Sequence, residues 1–246
     1  MSFLELKNIS MSYGEKEILQ DLSFSLKKNE FVSIVGPSGS GKSTIFSLIG
    51  GSTVPVRGKI LLEEEEVTGK RGRISYMPQS ASLLPWRNLL DNVTLGQELS
   101  GTVDKGRALE MLEQAGLGEY QKAFPHELSG GMKQRAAFVR ALLSPQSLLC
   151  LDEPFSALDE LRRTEMHEWL LGLLESHPRT VLFVTHNIDE ALFLSDRILV
   201  LKEKPATIVA DYKVPFQKPR SESLILSDQF LQSKREIFDF LKGKRE

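Results

Sequence analysis

Apolar and polar residues alternate from Phe3 to Asn8 and from Leu22 to Leu26, the period-two pattern of strands with one face buried. Glu30 to Val35 is a denser apolar run that ends at a glycine-rich turn, and a helical pattern starts at Lys42 and stops at Gly50 and Gly51. Arg57 to Glu64 and Arg73 to Met77 read as further strands. From Asn88 to Leu143 the pattern turns helical, with Asp104 placed to cap a helix whose apolar positions include Ala108, Leu109, Leu112 and Ala115. Strands and helices then alternate through Ser147 to Leu151, Asp159 to Glu175, Thr180 to Val184, Ile188 to Leu194 and Arg197 to Leu201. That rhythm predicts a largely parallel sheet covered by helices, with an inserted helical block. Thr207 to Val214 adds a strand, and Pro215 and Pro219 break the chain before a tail. In the tail Phe230, Leu231, Ile237, Phe238 and Leu241 can share a helical face suited to docking on the parent domain.

Composition narrows the classes. With 246 residues the chain is long enough for a large α/β domain, and 31 basic against 33 acidic residues leave a net charge of −2. No chain-wide positive field exists to hold nucleic acid, so none is expected as a partner. The single cysteine, Cys150, has no internal disulfide partner and lies in an apolar run, where it reads as a small buried hydrophobe. Met1 to Ser10 lacks the apolar core of a signal peptide, and no stretch approaches the roughly 18 apolar residues of a membrane span. The four carboxylates Glu63 to Glu66 lack cation-loop spacing and read as a solvated strand end or turn.

Gly36, Pro37, Ser38, Gly39, Ser40, Gly41, Lys42 and Ser43 fit G-x-x-x-x-G-K-[ST], directly after a predicted strand and opening a predicted helix that continues with Thr44. The glycines let successive N–H groups curl toward a polyphosphate, and the helix adds its positive end. Lys42 is then the group for the β and γ phosphates and Ser43 a ligand for Mg²⁺. A second apolar strand ends in Asp152 and Glu153. With a phosphate loop nearby, Asp152 is expected in the magnesium shell and Glu153 as the group that polarises an attacking water.

Between these motifs Leu128, Ser129, Gly130, Gly131, Met132, Lys133, Gln134 and Arg135 resemble the signature of ATP-binding cassette (ABC) ATPases, with Met132 where many members have Gln. Physically, Ser129 to Gly131 open a helix and offer a second anion site. The resemblance extends from Leu4 to Arg220 and implies further roles in the family's order. Tyr13 matches the aromatic that stacks on adenine, and Gln79 the glutamine that ligates Mg²⁺ beside Ser43 and Asp152. Ser156 to Asp159 matches the loop that contacts a partner subunit, with Asp159 also suited to cap a helix. His186 matches the switch histidine on the γ-phosphate. It implies that Lys42, Glu153 and His186 carry catalysis, with ATP and Mg²⁺ as cofactors. Two subunits would stack head to tail, so that each ATP lies between one phosphate loop and the other chain's signature.

A finer likeness lies in Leu83 to Arg87, Pro125 to Met132, Phe183 to Ala191 and Val214 to Arg220. Together these resemble the nitrate, taurine and aliphatic-sulfonate importer branch, which also holds importers of thiamine pyrimidine precursors. The departures are Ile60 to Glu66, which lacks the usual glycine turn, and a tail without the regulatory domain of sugar importers. Leu83, Leu84 and Trp86 suit a groove for a membrane-subunit helix, or burial inside the helical block; both readings stand at this point.

The expectation is therefore an α/β P-loop NTPase of ABC type, with a mostly parallel core sheet, an antiparallel β edge and an inserted helical subdomain. The ATPase domain spans 1–220, with core 1–78 and 142–220 and helical subdomain about 79–141, followed by a helical tail at 221–246. The resemblance implies an ATP-driven homodimer at the cytoplasmic face of the membrane, with two permease subunits and a solute-binding protein as partners. A soluble ABC ATPase of iron–sulfur assembly is the alternative. A guanine-reading Asn-Lys-x-Asp is absent from the sequence, which argues against a GTP switch.

Overall fold

The computed structural model describes residues 2–156, 158–202 and 205–243, without the side chain of Leu161. Two sheets organise it. Strands β1 (Leu4–Tyr13), β2 (Lys16–Leu26), β4 (Arg57–Leu62) and β5 (Glu65–Glu66) form an antiparallel sheet in the order β2-β1-β4-β5. The second sheet runs β10 (Ile208–Lys213), β9 (Arg197–Leu201), β3 (Phe31–Val35), β8 (Thr180–Thr185), β7 (Leu148–Asp152) and β6 (Ser75–Met77). It is parallel apart from the antiparallel β9–β10 pair.

The central strands β3, β7 and β8 are buried along their whole length, as expected for a sheet covered on both faces. Alternation decides which residue goes where. Leu149, Leu151, Val181 and Phe183 enter a core shared with the helical block, while Leu148, Cys150, Leu182 and Val184 enter the core under the antiparallel sheet. Cys150 is fully buried as expected, and burial pushes its thiol far above its ordinary range.

The helical block comprises α2 (Leu89–Val93), α3 (Leu95–Ser100), α4 (Lys105–Gln114) and α5 (Gly130–Leu143). Asp104 caps α4 by accepting from the Arg107 N–H at 2.9 Å. The remaining helices are α1 (Lys42–Ile49), α6 (Glu160–Ser176), α7 (Ile188–Leu194) and α8 (Asp228–Leu241).

Several details depart from the sequence reading. Strands β1 and β2 extend to Tyr13 and back to Lys16, forming one long hairpin rather than two short strands. The acidic run forms the solvated turn and strand end expected of it, but with two non-glycine residues, Glu63 and Glu64, at φ 50° and 68°. Both residues thus adopt the left-handed conformation of a type I′ turn, for which Asn-Gly is the favoured pair. In α8 only part of the predicted apolar face is used. Phe230 and Ile237 are buried against β9, β10 and α7, whereas Leu231 and Phe238 are 44% and 47% exposed. Leu231 and Phe238 stand seven residues apart on the adjacent stripe, which rotates away from the sheet. The three last residues of the expected tail lie outside the described residues.

Candidate functional site

The cleft at the C-terminal ends of β3 and β7 has a volume of about 380 Å³ and is lined by Tyr13, Ile18, Ser38, Gly39, Gly41, Lys42, Ser43, Thr44, Gln79, Asp152 and Glu153. Its floor follows from local sterics. Gly41 precedes α1 at φ 90°, and a Cβ there would come within 2.9 Å of Leu19 and 3.0 Å of Ile18. Only glycine lets the loop pass beneath β2 and still deliver the N-terminus of α1. Gly39 is also left-handed, and the Ser40 N–H donates to the Pro37 carbonyl at 3.2 Å.

Lys42 is buried, and its Nζ donates to the carbonyls of Gly36 and Pro37 at 2.8 Å each. The ammonium thus lies folded along its own loop, between Gly36 and the cleft. Burial lowers its pKa, and the carboxylates of Glu153 and Asp152 act in the opposite direction. Asp152 is displaced upward, chiefly by burial. Glu153 adds to that shift, while a 3.0 Å hydrogen bond from the Tyr76 hydroxyl, one from Ser43 and the charge of Lys42 oppose it. Neutralising a buried carboxylate requires a cation, which Lys42 supplies only in part.

Glu153 directly follows β7, with φ 43°. Its N–H donates to the Val184 carbonyl at 2.9 Å, and its Oε2 lies 3.0 Å from His186 Nδ1. His186 directly follows β8 and is well exposed; of this carboxylate–imidazole pair Glu153 lines the cleft and His186 stands beside it. Gln79 stands across from them and donates through Nε2 to the Ser156 hydroxyl at 3.1 Å. Ser43, Gln79 and Asp152 offer hydroxyl, amide and carboxylate oxygens, a donor set fitting a hard cation such as Mg²⁺ that takes its other ligands from phosphate and water. Tyr13 is half exposed at the mouth, free to stack on a flat ring.

The signature residues are elsewhere. Ser129 caps α5 by accepting from the Met132 N–H at 3.3 Å, and a Cβ at Gly130 or Gly131 would meet nothing within 4 Å. Neither Ser129 nor the two glycines line the cleft. Asp159 caps α6 by accepting from the Arg162 N–H at 3.1 Å. Ala157, in the same expected partner-facing loop, lies outside the described residues.

Trp86 is 72% exposed, while Leu83 packs against the core of the helical block, so the segment divides between the two readings. The turn carrying the indole is fixed by buried Asn92, which accepts from the Leu84 N–H at 2.7 Å and donates to the carbonyls of Leu84, Arg87 and Asn88.

Sequence reasoning did not reach several positioning groups. Tyr76 bonds Asp152 as described, and Gln134 of α5 donates to the Pro154 carbonyl, tying the signature helix to the strand end that carries Glu153. Arg140 donates to the carbonyls of Ala81 and Ser82 at 2.8 Å, anchoring the segment between Gln79 and Trp86. Only a buried polar position inside an otherwise apolar helix face, as at Gln134, marks such residues in sequence.

Comparison with known proteins places this geometry. The family model described as ABC transporter matches residues 19–156. Over 238 residues, 97% of this chain and 93% of the relative, the sequence is 41% identical to the aliphatic sulfonates import ATP-binding protein SsuB 1 of Rhodococcus jostii. It is 42% identical over 216 residues to the formylaminopyrimidine import ATP-binding protein ThiZ of Halalkalibacterium halodurans, covering 86% of this chain and 84% of that one. Among solved structures it is similar to the dimeric form of MJ0796, a bacterial ABC transporter cassette, with a TM-score of 0.75 and 31% identity over 87% of this chain and 100% of the other.

Proposed function

The chain belongs to the ABC transporter family, and from that premise we propose that it is the Mg²⁺-dependent ATPase subunit of an importer, working as a homodimer beneath two membrane-spanning permease subunits. The observation that carries this reading is the split of the site. One chain offers a cleft with a cation-ready oxygen set, while Ser129, which caps α5, is exposed and does not line that cleft. A second copy related by a two-fold axis completes each cleft with the segment Ser129 to Gly131 of the partner subunit, at the price of ordering two chains around each nucleotide. The import names of both relatives, one for aliphatic sulfonates and one for formylaminopyrimidine, favour uptake over iron–sulfur assembly. We extend that reading ourselves to a small solute of the sulfonate, taurine, nitrate or thiamine-precursor type, delivered by a solute-binding protein. Among the described residues no helix is long and apolar enough to cross a membrane, so the permease path belongs to the partners. The chain's place is then peripheral, on the cytoplasmic face.

Catalysis in this reading is positioning and charge stabilisation. Lys42 turns from its own loop carbonyls to the β and γ phosphates, and the N–H groups of Gly39 to Thr44 surround them. Tyr13 stacks on adenine. Mg²⁺, when bound by Ser43, Gln79 and Asp152, neutralises charge on the phosphate oxygens. Glu153 accepts a proton from the attacking water while His186, held by that same carboxylate, faces the γ-phosphate. Glu153→Gln tests the scheme: turnover should fall by about 10² to 10⁴ fold, the usual worth of a positioned base. The same variant should form a dimer in Mg-ATP by sedimentation, and adding Ser129→Arg should abolish that dimer while leaving ATP binding. ATP-bound monomers of Glu153→Gln defeat the shared-site reading.

A further inference from the structure

Behind His186 lies a buried polar cluster that none of these steps uses. Glu190, in the first turn of α7, is 4% exposed, and its Oε2 accepts from the Thr185 hydroxyl at 2.5 Å. Its Oε1 lies 3.4 Å from Arg163 Nε and 3.9 Å from His167 Nε2. Arg163 extends from the first turn of α6 and donates through Nη2 to the Leu158 carbonyl at 2.9 Å. Thr185 immediately precedes His186, and Asn187 immediately follows it; the Asn187 N–H donates to the Thr185 hydroxyl at 3.0 Å. The Asn187 side chain also caps α7 by accepting from the Glu190 N–H at 3.3 Å.

A plain account would treat Glu190 as an acid favoured by the helix dipole in a first turn. That account explains neither its burial nor its two side-chain partners. An enclosed carboxylate costs several kcal/mol unless paired, so the position demands Arg163 and Thr185. His167 does not substitute for Arg163. Burial, with the Arg163 charge beside it, drives the His167 pKa down to about 3, so its imidazole is neutral and offers no counter-charge. The cation facing Glu190 is therefore rooted beside Asp159, on the loop expected to meet the second subunit.

We propose that Glu190 and Arg163 are positioning residues that couple the Ser156–Asp159 loop to His186, so that docking of the second subunit sets the imidazole against the γ-phosphate. The path runs from the Leu158 carbonyl to Arg163 by a hydrogen bond, and from Arg163 to Glu190 by the 3.4 Å ion pair, in which Nε makes no hydrogen bond. From Glu190 it passes to Thr185 by a hydrogen bond, and so to the backbone bearing His186, whose ring meets Glu153. A shift of the loop carbonyl moves the guanidinium, and the short Thr185–Glu190 contact transmits that shift to the end of β8. This proposal rests on the roles given above to His186 and to the dimer.

The test compares Glu190→Gln, Arg163→Met, Arg163→Lys and His186→Ala in the full chain, with kcat, ATP affinity by calorimetry, melting temperature and the Hill coefficient of turnover as readouts. Glu190→Gln and Arg163→Met should each lower kcat about tenfold and bring the Hill coefficient toward one, with ATP affinity within about twofold. Their double variant should be no slower than the slower single, and Arg163→Lys, which keeps the charge, should recover part of the loss. In a His186→Ala background Glu190→Gln should add nothing further. Normal turnover in Glu190→Gln beside a slow His186→Ala overturns the coupling alone. So does an additive loss on His186→Ala, or a loss that follows a fall in melting temperature in both Arg163 variants alike. Normal turnover in His186→Ala overturns the assignment of His186 itself, and the coupling with it.

Discussion

Replacing Trp86 with alanine separates an anchor for another protein from a residue of the internal core. A fully enclosed tryptophan covers about 200 Å², and with 72% of the side chain open roughly 140 Å² is free to be buried. At about 25 cal/mol per Å² that area is worth about 3.5 kcal/mol, or between two and three powers of ten in affinity for a partner that encloses it. The portion already covered, roughly 55 Å², is worth only about 1.4 kcal/mol to the isolated chain. For a chain of this size that lowers the melting temperature by about 3 to 5 °C, against the 3 to 5 kcal/mol lost when a core tryptophan is truncated. The turn is preorganised by Asn92, so little entropy is lost when the indole docks. Detergent-solubilised membrane subunits co-expressed with the variant should co-purify at least tenfold less well, and solute-stimulated turnover should vanish. Basal ATPase of the isolated chain should stay within about threefold of the parent, because the indole does not line the cleft. Undiminished co-purification would refute the docking assignment, as would a melting loss large enough to explain the change by itself.

Three further outcomes follow from the geometry. Lys42→Ala should weaken ATP binding by about tenfold to a hundredfold, because charge-assisted hydrogen bonds to phosphate are lost, and unchanged affinity by calorimetry would remove Lys42 from the site. Because His167 is depressed to about 3 in the fold against 6.5 free, the unfolded chain takes up a proton first as pH falls. Its contribution is fully present above about pH 6.5 and is lost at about 1.4 kcal/mol per unit between there and pH 3; His167→Gln should show a shallower acid decline in urea midpoints at pH 7, 6 and 5, and parallel declines refute the neutral assignment. Replacing Glu63 and Glu64 with Asn-Gly should stabilise the protein by about 1 kcal/mol and raise its melting temperature by about 2 to 4 °C, since both positions already hold left-handed backbone; an unchanged or lower value contradicts that account of the turn.

How far the site could be read from sequence depended on how much of it is local. The phosphate-loop motif is eight consecutive residues that follow β3 and run into the first turn of α1, the strand–turn–helix context its spacing predicts, and Ser38, Gly39, Gly41, Lys42 and Ser43 line the cleft. The signature was legible for the same reason, as a capped helix start at Ser129. Contacts between distant segments were not legible. Tyr76 and Asp152 are 76 residues apart and meet because β6 lies beside β7, a neighbour relation that no periodicity encodes. Arg163 and Glu190 come together because α6 and α7 pack on one face of the sheet, and each alone reads as an ordinary charged residue near a helix start. The orientation of α8 was missed for a related reason: apolar residues occupy two adjacent stripes, and only contact with Phe216, Val214 and the edge of the sheet selects the one bearing Phe230 and Ile237. The split site obeys the same logic at a larger scale. Both segments carry local signals, but only the folded chain shows that Ser129, at the start of α5, does not line the cleft that holds Lys42. On the proposed reading, in which both elements meet the nucleotide, a chain whose signature does not line its own cleft has two options, a large internal movement or a second copy. The bond from Gln134 to the Pro154 carbonyl fastens the signature helix to the strand end that carries Glu153, which opposes the movement and favours the second copy.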